Sequence, residues 1–266
     1  MFINHIDLLN FRSYEELHLE LENRINCFVG PNACGKTNLI EAIYYLALTR
    51  SFRKANDDAL IRFNSDSASV SIDYFNDKSK KHEISAFITK RGKLICLDSE
   101  KQKSAAGIIG KLPCVCYSPT SVNMFKNEPQ ERRNFLDSSI SFISSNYIYA
   151  LSRFKKVLKE RNNALAQGYD EELIEVLTNE LINVSYRIYV SRDKFVKDLN
   201  SQVNQIYSNW FERDKKMEVV YKTNVPKFLS QSEFVSSYKN AFNRIKSEER
   251  LRKTTLIGVQ KDDFIG

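Results

Sequence analysis

The chain has 266 residues, 42% of them hydrophobic and 27% charged, which allows a hydrophobic core in one large domain or two smaller ones. No apolar run is long enough to span a bilayer and the N-terminus lacks the layout of a signal peptide, so we expect a cytoplasmic protein. The net charge of +7 is compatible with a polyanionic partner such as nucleic acid, although many lysine-rich proteins without such a partner share it.

The N-terminal part predicts three strands. Residues 2–12 have strand character, and Leu17, Leu19 and Leu21 alternate with polar residues as in a half-buried strand. The short apolar run at residues 25–29 predicts a further strand, which we expect to be buried on both faces.

A phosphate-binding loop follows this run. Residues 30–37, GPNACGKT, match the pattern G-x-x-x-x-G-K-[ST] at every fixed position, and apolar residues then recur with helical spacing. In such a loop, backbone N–H groups surround the phosphates, and glycine keeps side chains out of their way. The sequence therefore predicts ATP or GTP binding by Gly30, Pro31, Asn32, Ala33, Cys34, Gly35, Lys36 and Thr37.

Two side chains of the loop have specific expected roles. Lys36 would bring a full positive charge to the terminal phosphates, and the hydroxyl of Thr37 would be a ligand of Mg²⁺. Cys34 is unusual in such a loop. The loop alone does not choose between ATP and GTP.

The remaining pattern divides the chain. Residues 67–98 predict strands separated by polar turns, and residues 112–119 predict one more strand. Residues 1–120 are thus predicted to form an α/β lobe with a mostly antiparallel accessory sheet. Residues 131–166 and 171–211 predict helices, with a turn at 167–172. We therefore expect a mainly α-helical domain at 121–250, and short β-type runs at 251–266 that return into the lobe.

Basic residues cluster in two places that could neutralise DNA phosphates without reading bases. One cluster follows the loop helix and contains Arg50, Arg53 and Lys54. The other lies on one predicted helix and contains Arg153, Lys155, Lys156, Lys159 and Arg161. A solvated helix face without a ligand is the alternative interpretation of such a cluster.

Four segments resemble the RecF family of bacterial DNA replication and repair proteins. They are LNFRSY at 9–14, GKTNLIEAIYYLALTRSFR at 35–53, ERRNFLDSSI at 131–140 and FKKVLKERNNAL at 154–165. The phosphate-binding loop belongs to many families, whereas the Arg-Ser-Phe-Arg and Arg-Arg-x-Phe-Leu-Asp elements are much more specific. The architecture likewise resembles an ABC/SMC-like ATPase head interrupted by an inserted helical domain.

The resemblance implies an ATP-dependent DNA-binding protein that uses Mg²⁺. RecF-like proteins bind single-stranded and linear double-stranded DNA in replication, recombinational repair and the SOS response. They act with RecO and RecR partners, form homodimers when ATP binds, and hydrolyse ATP slowly. These properties are the expectations for this chain.

The sequence also departs from the family pattern. Ala33 stands where the family usually has a second glycine, and Val259 and Gln260 replace a proline and a histidine. The 266 residues contain neither the Ser-x-Gly-Gln signature nor the Walker B carboxylates. We therefore expect a C-terminally truncated family member that binds nucleotide weakly or not at all and does not hydrolyse it.

Carboxylates that could replace the Walker B pair fit the accessory sheet better. Asp73, Asp98 and Glu100 follow apolar residues, but all three precede the predicted helical domain. Two alternatives to the family function remain open. One is a non-hydrolysing fragment or interaction module, and the other is a P-loop kinase for a small substrate.

Overall fold

The computed structural model describes residues 1–53, 55–118, 121, 124–126, 128–211, 217–225, 228 and 230–265. The chain divides into two units, Met1–Cys116 (unit 1) and Tyr117–Gly266 (unit 2), each of which is described by itself. None of the helices in the described ranges combines the length and the apolar character that crossing a membrane requires.

Unit 1 is built on a six-stranded antiparallel sheet. The strand order is β2-β1-β3-β4-β5-β6, so the hairpins β3–β4 and β4–β5 extend the sheet from β1 on the side away from β2. A single long helix, α1, follows the phosphate-binding loop, and two short 3₁₀ turns lie at Asp57–Leu60 and Ala105–Gly107. The elements are β1 (Phe2–Phe11), β2 (Tyr14–Glu20), α1 (Lys36–Leu48), β3 (Ser67–Phe75), β4 (Lys81–Thr89), β5 (Gly92–Leu97) and β6 (Glu100–Lys101).

The sheet buries one face. Burial alternates residue by residue along β3, so that Val70 and Ile72 point inward while their neighbours are only partly buried. Helix α1 contributes Leu39, Tyr45 and Leu46 to the same core. The antiparallel accessory sheet of the sequence analysis is therefore confirmed, and its other face carries polar side chains.

The strand predicted at residues 25–29 is wrong. These residues pair with no strand in the described part of the chain, and Ile25 is 95% and Val29 89% exposed. Phe28 alone packs against the core of unit 1. A β-strand needs a neighbouring strand with which it forms backbone hydrogen bonds, and an apolar run does not show whether that neighbour is present.

The strand predicted at residues 112–119 is also absent from the described part of that segment. Residues 113–118 form neither a strand nor a helix, and Val115 and Tyr117 are exposed. Pro119 lies outside the described residues.

Unit 2 is mainly helical, with a two-stranded sheet. The helical segment predicted at 131–166 forms two helices, α2 and α3, which are separated at Ser144. The Ser144 side chain accepts a hydrogen bond from the Tyr147 N–H and caps α3. The predicted turn before α4 is confirmed, because Gly168 ends α3 with a left-handed φ of 72° and the Asp170 side chain caps α4. The elements are α2 (Pro129–Ile143), α3 (Ser145–Gln167), α4 (Glu171–Trp210), β7 (Val220–Lys222), α5 (Gln231–Arg252) and β8 (Asp263–Ile265).

Residues 251–265, for which the sequence predicts a return into the ATPase lobe, belong to unit 2. Strand β8 pairs with β7, and Val259 and Phe264 are fully buried in the core of that unit. Since an apolar side chain is stabilised wherever it is buried, these two residues hold the segment on the helices.

Candidate nucleotide-binding site

The phosphate-binding loop has the backbone that its glycines predict. Gly35 has a φ of 103°, and a Cβ atom there would lie 2.9 Å from Ser13 Oγ and 3.0 Å from the Tyr14 ring. Any other residue would therefore be strained and would also collide with the β1–β2 turn. Burial raises the pKa of the Tyr14 hydroxyl, which stays protonated and adds no negative charge beside the loop.

Ala33 shows why this family usually has a glycine at its position. Its φ of 65° lies in the left-handed region, which disfavours residues with a Cβ atom. The loop of this chain therefore stores backbone strain at one residue that glycine would avoid.

The N-terminus of α1 provides the positive end of a helix dipole. The helix starts at Lys36, its Gly35 cap makes no side-chain hydrogen bond, and its first turn contains no acidic residue. The backbone N–H groups of this turn are therefore free of a capping side chain, which is the arrangement that binds anions.

Lys36 and Thr37 lie at the start of α1. The Lys36 ammonium group donates to the carbonyl oxygens of Gly30 at 2.7 Å and Pro31 at 2.6 Å, and it lies 3.6 Å from Cys34 Sγ. Its charge is thus held over the loop, while Thr37 is exposed in the first helical turn. These residues fit a nucleotide triphosphate, with Lys36 for the phosphates and the Thr37 hydroxyl for Mg²⁺.

A buried carboxylate next to the loop organises its surroundings. Glu41 is fully buried in α1 and accepts two hydrogen bonds from Arg12, at 3.0 Å from Nε and 2.8 Å from Nη2. The Ser51 hydroxyl also donates to it, and an Arg53 nitrogen lies 3.5 Å away. Arg12 and Glu41 did not emerge as site residues from the sequence, although both lie in segments that resemble the family.

A second set of hydrogen bonds joins the same three segments at the surface. Asn38 of α1 donates to Ser13 Oγ at 2.8 Å and accepts from Arg53 at 3.0 Å. Arg12 donates further to the carbonyl oxygen of Ala59 at 2.7 Å. The β1–β2 turn, the start of α1 and the segment after α1 are thus fixed to one another around the loop.

The first basic cluster lies partly in this network. Arg53 is the residue just described, and Arg50 is exposed immediately after α1. Lys54 lies outside the described residues.

The second basic cluster is split by the structure. On α3, Lys155, Lys156 and Lys159 are exposed, and Lys156 lies 3.9 Å from Glu160. Arg153 donates to Glu180 at 2.6 Å and shares its charge with that carboxylate. In the described residues, Lys155 and Lys159 have no ion-pair partner.

The prediction for Arg161 is corrected. Its side chain is 3% exposed and faces the core, where the guanidinium donates to Glu249 at 2.6 Å, Thr255 at 2.7 Å and Thr178 at 2.8 Å. All three nitrogens are therefore engaged inside unit 2, and Arg161 cannot contact DNA in this conformation. Its position four residues after the buried Val157 could have shown this.

Comparisons with known proteins identify the family of this chain. Residues 1–262 match the family described as AAA ATPase domain. The DNA replication and repair protein RecF of Bacillus cytotoxicus is 36% identical over 269 residues, which cover 99% of this chain and 72% of that protein. RecF of Bacillus thuringiensis is 35% identical over 271 residues, with the same coverage.

Solved structures give the same result for the fold. A structure of the recombination mediator protein RecF with ATP in the RecFOR pathway superposes with a TM-score of 0.92 at 27% identity, covering 99% of this chain and 72% of that one. The α/β ATPase fold is thereby confirmed. This chain belongs to the RecF family of DNA replication and repair proteins.

Proposed function

We propose that this chain is an ATP-dependent DNA-binding protein that binds single-stranded and linear double-stranded DNA. It would act in the cytoplasm in replication, recombinational repair and the SOS response. The observation that carries the proposal is a phosphate-binding loop with a free helix N-terminus, in a chain of the RecF family. The relative solved with ATP supports ATP as the nucleotide.

The nucleotide would bind through the loop backbone at Gly30–Thr37. Lys36 would exchange its bonds to the Gly30 and Pro31 carbonyl oxygens for bonds to the phosphates, a change that keeps its hydrogen bonds and adds charge pairing. Mg²⁺, when bound, would neutralise phosphate charge, and Thr37 would supply a hydroxyl ligand for it.

DNA would contact the exposed lysines of α3. Lys155 and Lys159 are one helical turn apart, so their ammonium groups lie on the same face of the helix. Among the described residues neither lysine has an acidic partner, whereas Arg153 and Lys156 have acidic neighbours. Such a face binds phosphates without base specificity, which suits a protein that binds both single and double strands.

The proposed partners follow from the family. The name of the solved relative places that protein in the RecFOR pathway, and we extend RecO and RecR type partners to this chain. ATP-dependent homodimerisation is proposed on the same basis.

The nucleotide proposal is tested by equilibrium binding of Mg-ATP to the purified chain and to Lys36→Ala. We expect at least about tenfold weaker binding for the variant, because a charge-assisted contact to phosphate contributes about 1.5–3 kcal/mol. Lys90→Ala, which removes an exposed lysine of the β4–β5 turn, is the matched control. Equal affinities for all three proteins would contradict the proposal.

The DNA proposal is tested by measuring the affinity for a single-stranded oligonucleotide at several salt concentrations. Charge reversal at Lys155 and Lys159 together should weaken binding and reduce the salt slope by about 2, roughly one unit per lysine contact. Reversal at Lys78 and Lys80, in the β3–β4 turn, changes the net charge equally and should leave the slope near wild type. An unchanged slope in the α3 variant would exclude this face as the DNA site.

A further inference from the structure

The polar face of the unit 1 sheet carries a cluster of two histidines and three carboxylates. His5 and Asp7 are two residues apart on β1 and therefore point to the same face. His18 of β2 is directly opposite Asp7 in the strand register, and Glu20 is opposite His5. The antiparallel pairing thus brings together residues that are distant in sequence.

The two imidazoles meet at one carboxylate oxygen. His5 Nε2 lies 2.7 Å and His18 Nδ1 2.5 Å from Asp7 Oδ1. These three potential ligand atoms all lie within 4.8 Å of one another. No other group of three or more such ligands was found in the described residues.

Each histidine is also oriented from its far side. The second ring nitrogen of His5 lies 3.0 Å from Glu20 Oε1, and that of His18 lies 2.9 Å from Glu16 Oε1. The second oxygen of Asp7 accepts a hydrogen bond from the Ser71 hydroxyl at 3.4 Å. Metal-binding histidines and carboxylates are held in this way in proteins, because an outer acceptor fixes the imidazole and raises its basicity.

We propose that His5, Asp7 and His18 form a binding site for a divalent transition-metal ion of the zinc class. The ligands would be His5 Nε2, Asp7 Oδ1 and His18 Nδ1, and solvent would complete the coordination. Two imidazoles with one carboxylate favour Zn²⁺ over Mg²⁺ or Ca²⁺, which prefer oxygen ligands. The site is therefore chemically distinct from the Mg²⁺ proposed at Thr37.

The two nitrogen–oxygen distances to Asp7 need only a small adjustment to hold the ion. Ligands about 2.0–2.2 Å from a tetrahedral Zn²⁺ are about 3.3 Å apart, so each imidazole would move by less than about 1 Å from Asp7. Ile6 and Leu8 flank Asp7 on β1 and are buried in the sheet core, so they hold the strand in place. The adjustment would therefore be made by side-chain rotation. His18 is 64% exposed, so an ion can reach the cluster from solvent.

The test is a calorimetric titration of Zn²⁺ into the untagged chain with its thiols alkylated. Alkylation matters because Cys27 and Cys34 are exposed and could bind zinc themselves. We expect one equivalent of Zn²⁺ to bind to the wild-type chain. His18→Ala and His5→Ala should each weaken that binding at least about tenfold, since even outer-shell changes cost 10–100-fold.

His82→Ala is the matched control, because His82 is the one other histidine of the chain and lies on β4, where it pairs with Asp98 of the turn after β5. It should bind Zn²⁺ like the wild type. Zn²⁺ should also raise the melting temperature of the wild type and of His82→Ala, but not of His18→Ala, whose exposed side chain is not needed for folding. Equal zinc affinity in all variants, or no binding to the wild type, would overturn the proposal.

Discussion

The buried charged residues of the two units have different surroundings. In unit 1, the fully buried carboxylate is Glu41, and its partners Arg12 and Arg53 surround the nucleotide loop. In unit 2, ion pairs with a buried arginine join helices to one another and to distant segments. They are Arg161–Glu249, Arg192–Asp137 and Arg132–Asp263.

This difference predicts which property changes when a buried charge is removed from each unit. A buried pair contributes little net stability as a pair, but removing one partner leaves the other charge buried and unpaired. In unit 2 the cost should appear as lost helix packing, and in unit 1 as a changed binding site. The following predictions test that distinction.

The largest effect is expected for Arg192→Ala. Arg192 donates to Asp137 at 2.8 Å, to the Tyr147 hydroxyl at 3.0 Å and to the Val259 carbonyl oxygen at 2.7 Å. Burial opposes its charge, but Asp137 raises its pKa well above the ordinary value, so the guanidinium stays charged. We expect a loss of about 3–5 kcal/mol in the free energy of unfolding, measured by urea titration of the helical circular dichroism.

The control for this variant is Lys197→Ala. Lys197 pairs with Asp193 at 2.7 Å one helical turn away on the exposed face of α4, and such pairs contribute only about 0.3–0.5 kcal/mol. If both variants unfolded at the same urea concentration, buried charge would not be what holds unit 2 together.

An intermediate effect is expected for Glu41→Gln. The substitution keeps the shape but removes the charge that binds Arg12, at a cost of about 1–3 kcal/mol to the stability of unit 1. Because Arg12 and Arg53 would then be free to shift beside the loop, Mg-ATP affinity should fall as well. Glu22→Gln, at an exposed residue before the loop, should change neither quantity. Reduced stability with unchanged ATP affinity would show that Glu41 serves packing alone.

The smallest effect is expected for Ala33→Gly, which removes the left-handed strain in the loop. The strain costs about 1–2 kcal/mol and the added chain entropy of glycine about 0.5–1 kcal/mol, so unit 1 should gain roughly 0.5 kcal/mol. Ala55→Gly is the control, because Ala55 is not among the residues with positive φ and should lose stability. Thermal unfolding of both variants distinguishes the two signs, and a loss in both would argue against strain at Ala33.

Patterns that depend on neighbours in sequence predicted much of this molecule. The alternation along β3, the turn at Gly168 and the loop at residues 30–37 are local, because each is set by the conformations of consecutive residues. The roles of the eight loop residues as ATP ligands stay a prediction.

Contacts between residues that are distant in sequence could not be predicted from the sequence. Residues 25–29 have the composition of a strand, but they pair with no strand among the described residues. The charge of Arg161 favoured a position at the surface. Its side chain instead donates to Glu249, which lies 88 positions later in the sequence. His5 and His18 meet only through the β1–β2 register, which the separate strands do not reveal.

The contact between Arg132 and Asp263 has a consequence for synthesis on the ribosome. These residues are 131 positions apart, and Val259 and Phe264 complete the core on which α2 packs. At about 5–20 residues per second, the ribosome needs roughly 7–30 s to proceed from the end of unit 1 to this segment. During that interval the nascent helices of unit 2 lack their closing contacts, whereas every strand of the unit 1 sheet has already been made. The unit 1 sheet can therefore fold before unit 2 does, and the helical unit folds onto its own late-synthesised segment.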